Sequence, residues 1–383
     1  MMFLWRSGSR HGFDTQRNCG AVPENVLRLC GQTWDPRRLG PRRTVTGSDN
    51  AVHHAARVPS DALAAIPVRM IRRLMAMRLL ERGRLFGTWW RVVVDGTLQD
   101  RGRKTRRGGA ARHRYVLEAK LLGPCGTSFP LMTEFLDVRD WTREKEDCEL
   151  RAFARLARRL KAAFPRLPIC LLMDALYAVQ PVFTLCDAFG WKYIVSFKEG
   201  RQPTGWDEAV QTMLLSPENV LTAEYTTDSV RVQQMLRWTE QVAVGKWHVN
   251  IVFLSEVSPK TATLWAWATN LPLRHDRMLP LVNAGGKARQ NIENDFNVQK
   301  NGGFGLEHAF CANATASRNL HLVMQIAHIL WQLLADGVLR RMARLTRKPT
   351  DLAFASLLRA SFLHEAIPPD LPQRGQIRFP ALA

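Results

Sequence analysis

The sequence lacks the cysteine arrangements that bind structural zinc. Its 7 Cys residues include no CxxC pair and have no His partner at zinc-finger spacing. Cys170 lies inside an apolar run, which is typical of a small core residue. These absences exclude a recognisable zinc finger, and we expect the thiols to be reduced, as in a cytoplasm.

The sequence also lacks an uninterrupted apolar run of membrane-spanning length. The most apolar C-terminal stretch, residues 320–339, is broken by two His, two Gln and Asp336. The N-terminus has no apolar core of secretory length before a small-residue cleavage site. We therefore expect a cytoplasmic protein with no membrane partner.

Acidic residues are scarce compared with basic ones. Lys and Arg number 54 against 34 Asp and Glu, which gives a net charge of +20 and a pI near 10.4. This excess favours a polyanionic partner, above all nucleic acid. Residues 69–114 hold 14 basic and 3 acidic side chains, so 14 − 3 gives +11, which suits a phosphate backbone or a solvated surface. Arg dominates, which suits phosphate binding but also follows from GC-rich coding.

Hydrophobic periodicity divides the chain into six segments. Residues 1–58 show neither a helical nor a strand period, and we expect little stable structure or aberrant sequence there. Residues 59–86 predict a basic amphipathic helix, which either contacts DNA or covers the core. The other segments are an α/β core at 87–200, a β-rich insertion at 201–283, a polar helix with its following loop at 284–315, and a helical C-terminal region and tail at 316–383.

The order of strand and helix patterns predicts an α/β fold. Residues 89–95, 114–122 and 129–136 are patterned as a three-strand meander. After a helix, residues 167–173 form a continuously apolar strand, and a second helix leads to a fifth strand at 191–197. The prediction is a mixed five-stranded sheet flanked by helices.

Three acids stand at positions that favour a shared site. Asp95 and Asp174 each end a strand, so they emerge at one edge of the sheet if the strands are neighbours. Glu293 lies in a polar helix, with Arg289 and Lys300 on the same face at about 100° per residue. Each feature alone is more often structural, because an Asp after a strand commonly caps a turn and the Arg-Glu spacing suits an exposed ion pair.

Three carboxylates from separate segments suit phosphodiester chemistry. Attack by water or a 3′ hydroxyl requires carboxylates that hold two divalent ions, one activating the nucleophile and one stabilising the leaving oxygen. Mg²⁺ prefers oxygen ligands, so Asp and Glu are suitable donors, and Mn²⁺ is a possible substitute. The pattern therefore favours a two-metal site.

The helix at Arg289 carries the spacing Arg-x3-Glu-x6-Lys, followed by Asn-Gly-Gly. It resembles the signature helix of bacterial insertion-sequence DDE transposases, Tyr-x2-Arg-x3-Glu-x6-Lys. The strands that end at Asp95 and Asp174 resemble the regions of the first and second Asp in that family, and the match covers residues 60–345. The resemblance implies a ribonuclease H-like core with a β-rich insertion before the last catalytic helix. It also implies that Asp95, Asp174 and Glu293 are catalytic and bind two Mg²⁺ ions.

The same resemblance implies DNA-binding residues. Arg289 and Lys300 would contact phosphates near the cleaved transposon end. Trp265 is a candidate for the insertion-domain aromatic residue that holds a flipped base, and Trp267 fits that role equally well. The position of the signature Tyr is Gly286, so one DNA contact is missing or supplied elsewhere.

We therefore expect a bacterial DNA transposase that cleaves transposon ends with Mg²⁺ and transfers the strand into target DNA. Its partners would be double-stranded transposon and target DNA and a second copy in a homodimer, in the cytoplasm and at the nucleoid. The alternative is a catalytically inactive remnant that only binds DNA through charge, as Gly286 and residues 1–58 suggest. A structural RNA-binding protein would explain the charge but not the order of the carboxylates.

Overall fold

The computed structural model describes residues 1–32, 35–39, 44–100, 113–138, 145–227, 229–308, 310–336 and 350–368, so the basic loop at 101–112 lies outside it. In these residues the strands are β1 (Arg84–Leu85), β2 (Trp89–Asp100), β3 (His113–Leu122), β4 (Ser128–Val138), β5 (Ile169–Met173), β6 (Lys192–Ser196), β7 (Val220–Thr227), β8 (Val230–Val244), β9 (Trp247–Val257) and β10 (Ala262–Thr269). The helices are α1 (Arg10–Asp14), α2 (Val22–Leu29), α3 (Pro36–Leu39), α4 (Ser48–Ala55), α5 (Ser60–Ala76), α6 (Lys145–Ala163), α7 (Gln180–Phe189), α8 (Pro203–Leu214), α9 (Met278–Pro280), α10 (Gln290–Asn301), α11 (Ala314–Ala335) and α12 (Asp351–His364).

The described strands form one mixed sheet. Its order is β4-β3-β2-β5-β6-β10-β9-β8-β7, with β1 paired to β2. β2, β5 and β6 are parallel to one another, and the other neighbouring strands are antiparallel. Helices pack on both faces, so the predicted α/β class is confirmed as a ten-stranded mixed sheet flanked by helices.

The central strands supply side chains to two separate hydrophobic cores. In β2, Val92 and Val94 point into one core and Val93 into the other, because successive side chains of a strand alternate. The first core lies on the face covered by α5, α6, α7 and α8, which we call the α6 face. The second lies on the face covered by α10 and most of α11, which we call the α10 face. Every residue of β5 is buried, as a strand covered on both faces requires.

The β-rich segment at 201–283 continues the same sheet. β10 pairs antiparallel with β6, with Ala268 opposite Val195, and β9, β8 and β7 follow in turn. This pairing occupies the edge of β6, whose N–H and C=O groups would otherwise stay unpaired. α8 packs against β8 and buries Ala209. The segment is thus joined to the core through backbone hydrogen bonds.

Helices α1 to α4 lie within residues 1–58, where the sequence predicts little stable structure. Trp5 and Phe13 belong to a small buried cluster packed against α12. Asn25 donates hydrogen bonds of 2.9 and 2.8 Å to two carbonyls at the end of the same helix. α1 and α4 each bury one residue and α2 buries three, of which only Val22 and Pro23 are apolar, so no periodic apolar stripe marks these helices in the sequence.

The helical C-terminal region predicted at 316–383 contains α11, which ends at Ala335, and α12, while residues 337–349 and 369–383 lie outside the described residues. In α11, the polar residues His321 and His328 are buried and contact Glu118 of β3 and Asp295 of α10, and the buried Gln325 pairs with Gln299 of α10. Among the described helices, none combines the length and apolar composition needed to cross a membrane.

Candidate active site on β2 and after β5

The structure brings two of the predicted carboxylates to neighbouring strands. The prediction that both acids end a strand is correct only for Asp174, which follows β5, whereas β2 continues past Asp95 to Asp100 because its pairing with β3 continues there. β2 and β5 are parallel partners, with Val93 opposite Leu172, and both side chains point to the α10 face. The paired segment ends there, and the same register continued for two residues places Asp95 beside Asp174, which follows the last residue of β5. The repulsion between the two carboxylates agrees with this placement. Because paired strands lie about 4.8 Å apart, these carboxylates emerge side by side.

Each of these carboxylates is oriented by a backbone N–H. The N–H of Gly96 donates to Asp95 Oδ1 at 2.9 Å, and the N–H of Leu176 donates to Asp174 Oδ1 at 2.9 Å. Asp174 thereby caps the short 3₁₀ turn Ala175–Tyr177, as Asp does at helix starts. The backbone hydrogen bonds fix one oxygen of each side chain.

Arg289 connects the third acid, Glu293, to Asp95. The guanidinium Nη1 lies 3.4 Å from Asp95 Oδ2, and Nη2 contacts Glu293 Oε1. One cation therefore bridges a carboxylate of β2 and a carboxylate of α10. The side chain of Glu293 is 48% exposed and that of Asp95 is 17% exposed, so the site opens to solvent on the side of the helix.

The electrostatics of the site penalise the negative charge on Asp95. Burial raises the pKa of Asp95 to about 7, and repulsion from Asp174 and Glu149 adds to the rise. Arg289 and the N–H of Gly96 oppose the shift, because both stabilise the ionised carboxylate. Arg289 only partly offsets the free-energy cost of ionising Asp95, so a further positive charge beside this carboxylate would stabilise its ionised form.

A fourth acid near the site, Glu149 on α6, was missed by the sequence analysis. Glu149 is 4% exposed, and Tyr177 Oη donates to its Oε1 at 2.9 Å. The hydroxyl of Tyr115 is also hydrogen-bonded to Glu149. Burial raises the pKa of both phenols, and the charge of Glu149 raises it further. The spacing in the sequence could have predicted its burial. Glu149 precedes the inward-facing Phe153 and Leu156 by four and seven residues, which places all three on the same face of the helix.

Buried ions hold α10 against the sheet. Lys120 on β3 is fully buried, contacts Asp295 of α10 and lies 3.0 Å from Glu118. His328 of α11 lies 2.5 Å from Asp295, and His321 lies 2.7 Å from Glu118. Although burial opposes it, attraction within this network lowers the pKa of both carboxylates and raises that of Lys120. The network fixes the helix that carries Glu293.

Position 286, where the resemblance expects Tyr, has no room for a side chain. Gly286 is buried at the end of the π-helical turn Leu281–Gly286. A Cβ on Gly286 would overlap the ring of Trp267, which is itself only 3% exposed. A side chain at this position could reach DNA only if Trp267 moved.

The predicted DNA-binding residues Lys300 and Trp265 are accessible. Lys300 Nζ lies 3.0 Å from Glu307 Oε1 with 31% of its side chain exposed. The ring of Trp265 is partly exposed and stacks on Trp267 with centroids 6.5 Å apart, and Lys287 Nζ lies 5.1 Å from its centre. Of the two tryptophans considered for base stacking, Trp265 has the accessible ring.

The donor set fits a hard divalent cation in its chemistry. Asp95, Asp174 and Glu293 offer only oxygen, which Mg²⁺ prefers, and their three formal negative charges exceed the single charge of Arg289. As the side chains stand, no group of three or more His, Cys, Asp or Glu in the described parts of the chain is arranged to hold a metal ion. Arg289 contacts two of the three carboxylates, so a metal ion bound by Asp95 and Glu293 would compete with its guanidinium.

No protein-family model matches this chain, and no curated protein matches its sequence at a significant level. Its resemblance to transposases accordingly depends on the motif around Glu293 and on Asp95 and Asp174 with the apolar runs before them. The structure sets Asp95 beside Asp174 and connects Glu293 to Asp95 through Arg289.

Proposed function

We propose that this chain is a DDE transposase that cleaves DNA at transposon ends and transfers the cleaved strand into target DNA. The observation that carries the proposal is the contact of Arg289 with both Asp95 and Glu293. An exposed helical ion pair explains the contact with Glu293 alone. It does not explain why the same guanidinium also contacts the partly buried carboxylate of Asp95, on the strand that pairs with β5.

The strand order supports a ribonuclease H-like core within the larger sheet. β4, β3 and β2 form an antiparallel meander, and β5 and β6 continue the sheet in parallel with β2. We assign these five strands to the core and β7 to β10 to the insertion that precedes the catalytic helix. The assignment agrees with the positions that the resemblance gives to the first two acids.

The proposed chemistry divides among the residues of the site. Two Mg²⁺ or Mn²⁺ ions held by the three acids would activate water or a 3′ hydroxyl and stabilise the leaving oxygen. Asp95 and Asp174 present oxygens that backbone N–H groups already orient. Glu293, on the exposed side, completes the ligand set. Arg289, once released from the carboxylates, offers its planar guanidinium to a DNA phosphate.

The outer surface of two helices supports DNA as the partner. α5 and α6 both pack against β4, and Arg72 of α5 contacts the carbonyl of Ala163 at the end of α6. Both helices carry exposed arginines: Arg69, Arg72, Arg73, Arg151, Arg155, Arg158 and Arg159. Arg side chains that neutralise phosphates release counterions, so DNA binding should weaken strongly as salt rises.

A second candidate function is DNA binding without catalysis. It is favoured by Gly286, because the Trp267 ring fills the space where a side chain of the signature Tyr would begin. Arg289 also neutralises the carboxylates that metal ions would need. In this case the protein would bind DNA through its positive charge and leave it intact.

The two functions are separated by a nicking assay. The purified chain is incubated with Mg²⁺ and duplex DNA taken from both flanks of its coding sequence. We expect a single-strand nick near an inverted repeat, which Asp95→Ala abolishes while DNA binding persists. Salt-sensitive binding without any nick would favour the second function, and equal nicking by the wild type and Asp95→Ala would contradict the first.

A further inference from the structure

Glu149 is a buried carboxylate that connects two structural elements of the proposed site. It lies on α6, on the face of the sheet opposite α10, and is 4% exposed. Tyr177 Oη donates to it at 2.9 Å, and the hydroxyl of Tyr115 forms another hydrogen bond to it. A buried carboxylate requires such donors, because an uncompensated charge is very costly in the protein interior.

Tyr177 connects Glu149 to the carboxylate of Asp174. Tyr177 is the last residue of the turn that Asp174 caps, and its N–H donates to the carbonyl of Asp174 at 3.2 Å. The Tyr177 side chain is fully buried, so its hydroxyl cannot shift without moving the turn. The orientation of the Asp174 side chain, which accepts from Leu176 in the same turn, depends on that geometry.

Tyr115 connects Glu149 to the segment that orients Asp95. Tyr115 lies on β3, and its phenol ring crosses β2 at Gly96, where an added Cβ would overlap the ring. The N–H of Gly96 holds Asp95 Oδ1 at 2.9 Å. The phenol therefore packs against the peptide that fixes Asp95, and Glu149 fixes the phenol.

We propose that Glu149 is a positioning residue: by holding the hydroxyls of Tyr115 and Tyr177, it sets the separation of Asp95 and Asp174. The inference rests on the proposed metal-dependent function. Two catalytic ions lie only about 3.5–4 Å apart, so their ligands must be placed closely. Residues that orient metal ligands without touching the metal typically change affinity or activity about 10–100-fold when replaced.

The direct test replaces Glu149 with Gln, which keeps the shape of the side chain and removes its charge. We expect Mn²⁺ affinity, measured by electron paramagnetic resonance titration of the whole chain, to fall about 10–100-fold. The kcat for DNA nicking should fall in parallel, while KM for DNA stays unchanged because the DNA surface is intact. Glu218→Gln, a carboxylate exposed before β7, is the matched control and should behave as the wild type.

A second variant tests whether Glu149 acts through the phenol. Tyr177→Phe removes one donor, and we expect a smaller loss of Mn²⁺ affinity and kcat. The double variant should lose less than the sum of the two single losses, because both changes break one contact. If Glu149→Gln does not fold, Tyr177→Phe alone decides the matter.

Unchanged Mn²⁺ affinity and kcat in folded Glu149→Gln would overturn the inference, as would unchanged values in Tyr177→Phe. Full additivity of the two losses would also overturn it. Failure of the proposed function has a different outcome, in which wild type and Asp95→Asn bind Mn²⁺ equally. If only the positioning role of Glu149 is wrong, Asp95→Asn still loses Mn²⁺ binding.

Discussion

The Trp267 ring lies directly against Gly286, in the space where a side chain at position 286 would begin. Trp267 belongs to β10, and Gly286 ends the π-helical turn that leads toward α10. The contact therefore sets the start of the Glu293 helix against the β-rich part of the sheet. A side chain at position 286 and the Trp267 ring in its present position cannot both occupy this space.

Replacing Gly286 with Ala should destabilise the protein. The backbone at Gly286 is helical, so Ala would normally stabilise it by about 0.5–1 kcal/mol relative to Gly. The overlap with Trp267 should instead reduce the free energy of unfolding by about 1–3 kcal/mol, as overpacking typically does. Urea unfolding measures the change. Gly200→Ala, where an added Cβ meets nothing within 4 Å, is the control, and equal stabilisation at both positions would contradict the packing account.

Replacing Lys120 with Met should reduce the free energy of unfolding by about 3–5 kcal/mol. The change leaves Glu118 and Asp295 buried beside each other without the cation that pairs with both, and removing one partner of a buried pair has that cost. Lys260→Met, at an exposed position, should change stability by no more than about 0.5 kcal/mol. Urea unfolding measures the change. A loss below about 1 kcal/mol for Lys120→Met would show that Lys120 does not stabilise the buried charges of Glu118 and Asp295.

Acid should destabilise the protein through the same network. The pKa of Glu118 and the pKa of Asp295 are lowered in the fold, so their stabilising contribution is complete above their unfolded values of about 4.3 and 3.9. That contribution is lost as the pH falls through the lower folded values. Urea unfolding between pH 3 and pH 7 should show the decline, and Glu118→Gln should make it shallower. An unchanged slope in the variant would contradict this assignment.

Asp95→Asn should increase metal-free stability at pH 8. Burial raises the pKa of Asp95 to about 7, so the folded state holds this proton more tightly than the unfolded chain does. Wild-type stability therefore falls as pH rises through that range, whereas Asn stays neutral. The difference between variant and wild type in thermal unfolding should shrink between pH 8 and pH 5.5. A difference independent of pH would mean that the carboxylate is not penalised in the fold.

Asp95 and Asp174 could be selected as candidates because each follows an apolar run, although only Asp174 ends its strand. The sequence left open whether the two strands are neighbours, and the structure shows that β2 and β5 pair in parallel. Glu293 was found through its spacing from Arg289. The contact between Arg289 and Asp95, which lie 194 residues apart, could not be derived from spacing and required the fold.

Glu149 and Lys120 were missed because charged side chains in helices and strands usually face solvent. Burying them requires partners that the sequence does not place nearby. Lys120 contacts Asp295, which lies 175 residues away in the sequence. Glu149 accepts a hydrogen bond from Tyr177, which lies 28 residues later, in the turn after β5. The N-terminal helices were missed for a related reason, since the cluster that buries Trp5 and Phe13 includes Phe362 and Leu363 of α12, far along the chain.

The central claim is that Asp95, Asp174 and Glu293 form one metal site. The most direct test counts the Mn²⁺ ions bound to the whole chain in the presence of duplex DNA, by electron paramagnetic resonance titration. We expect two ions for the wild type and weaker or fewer ions for each of Asp95→Asn, Asp174→Asn and Glu293→Gln. Equal binding by the wild type and all three variants would contradict the claim.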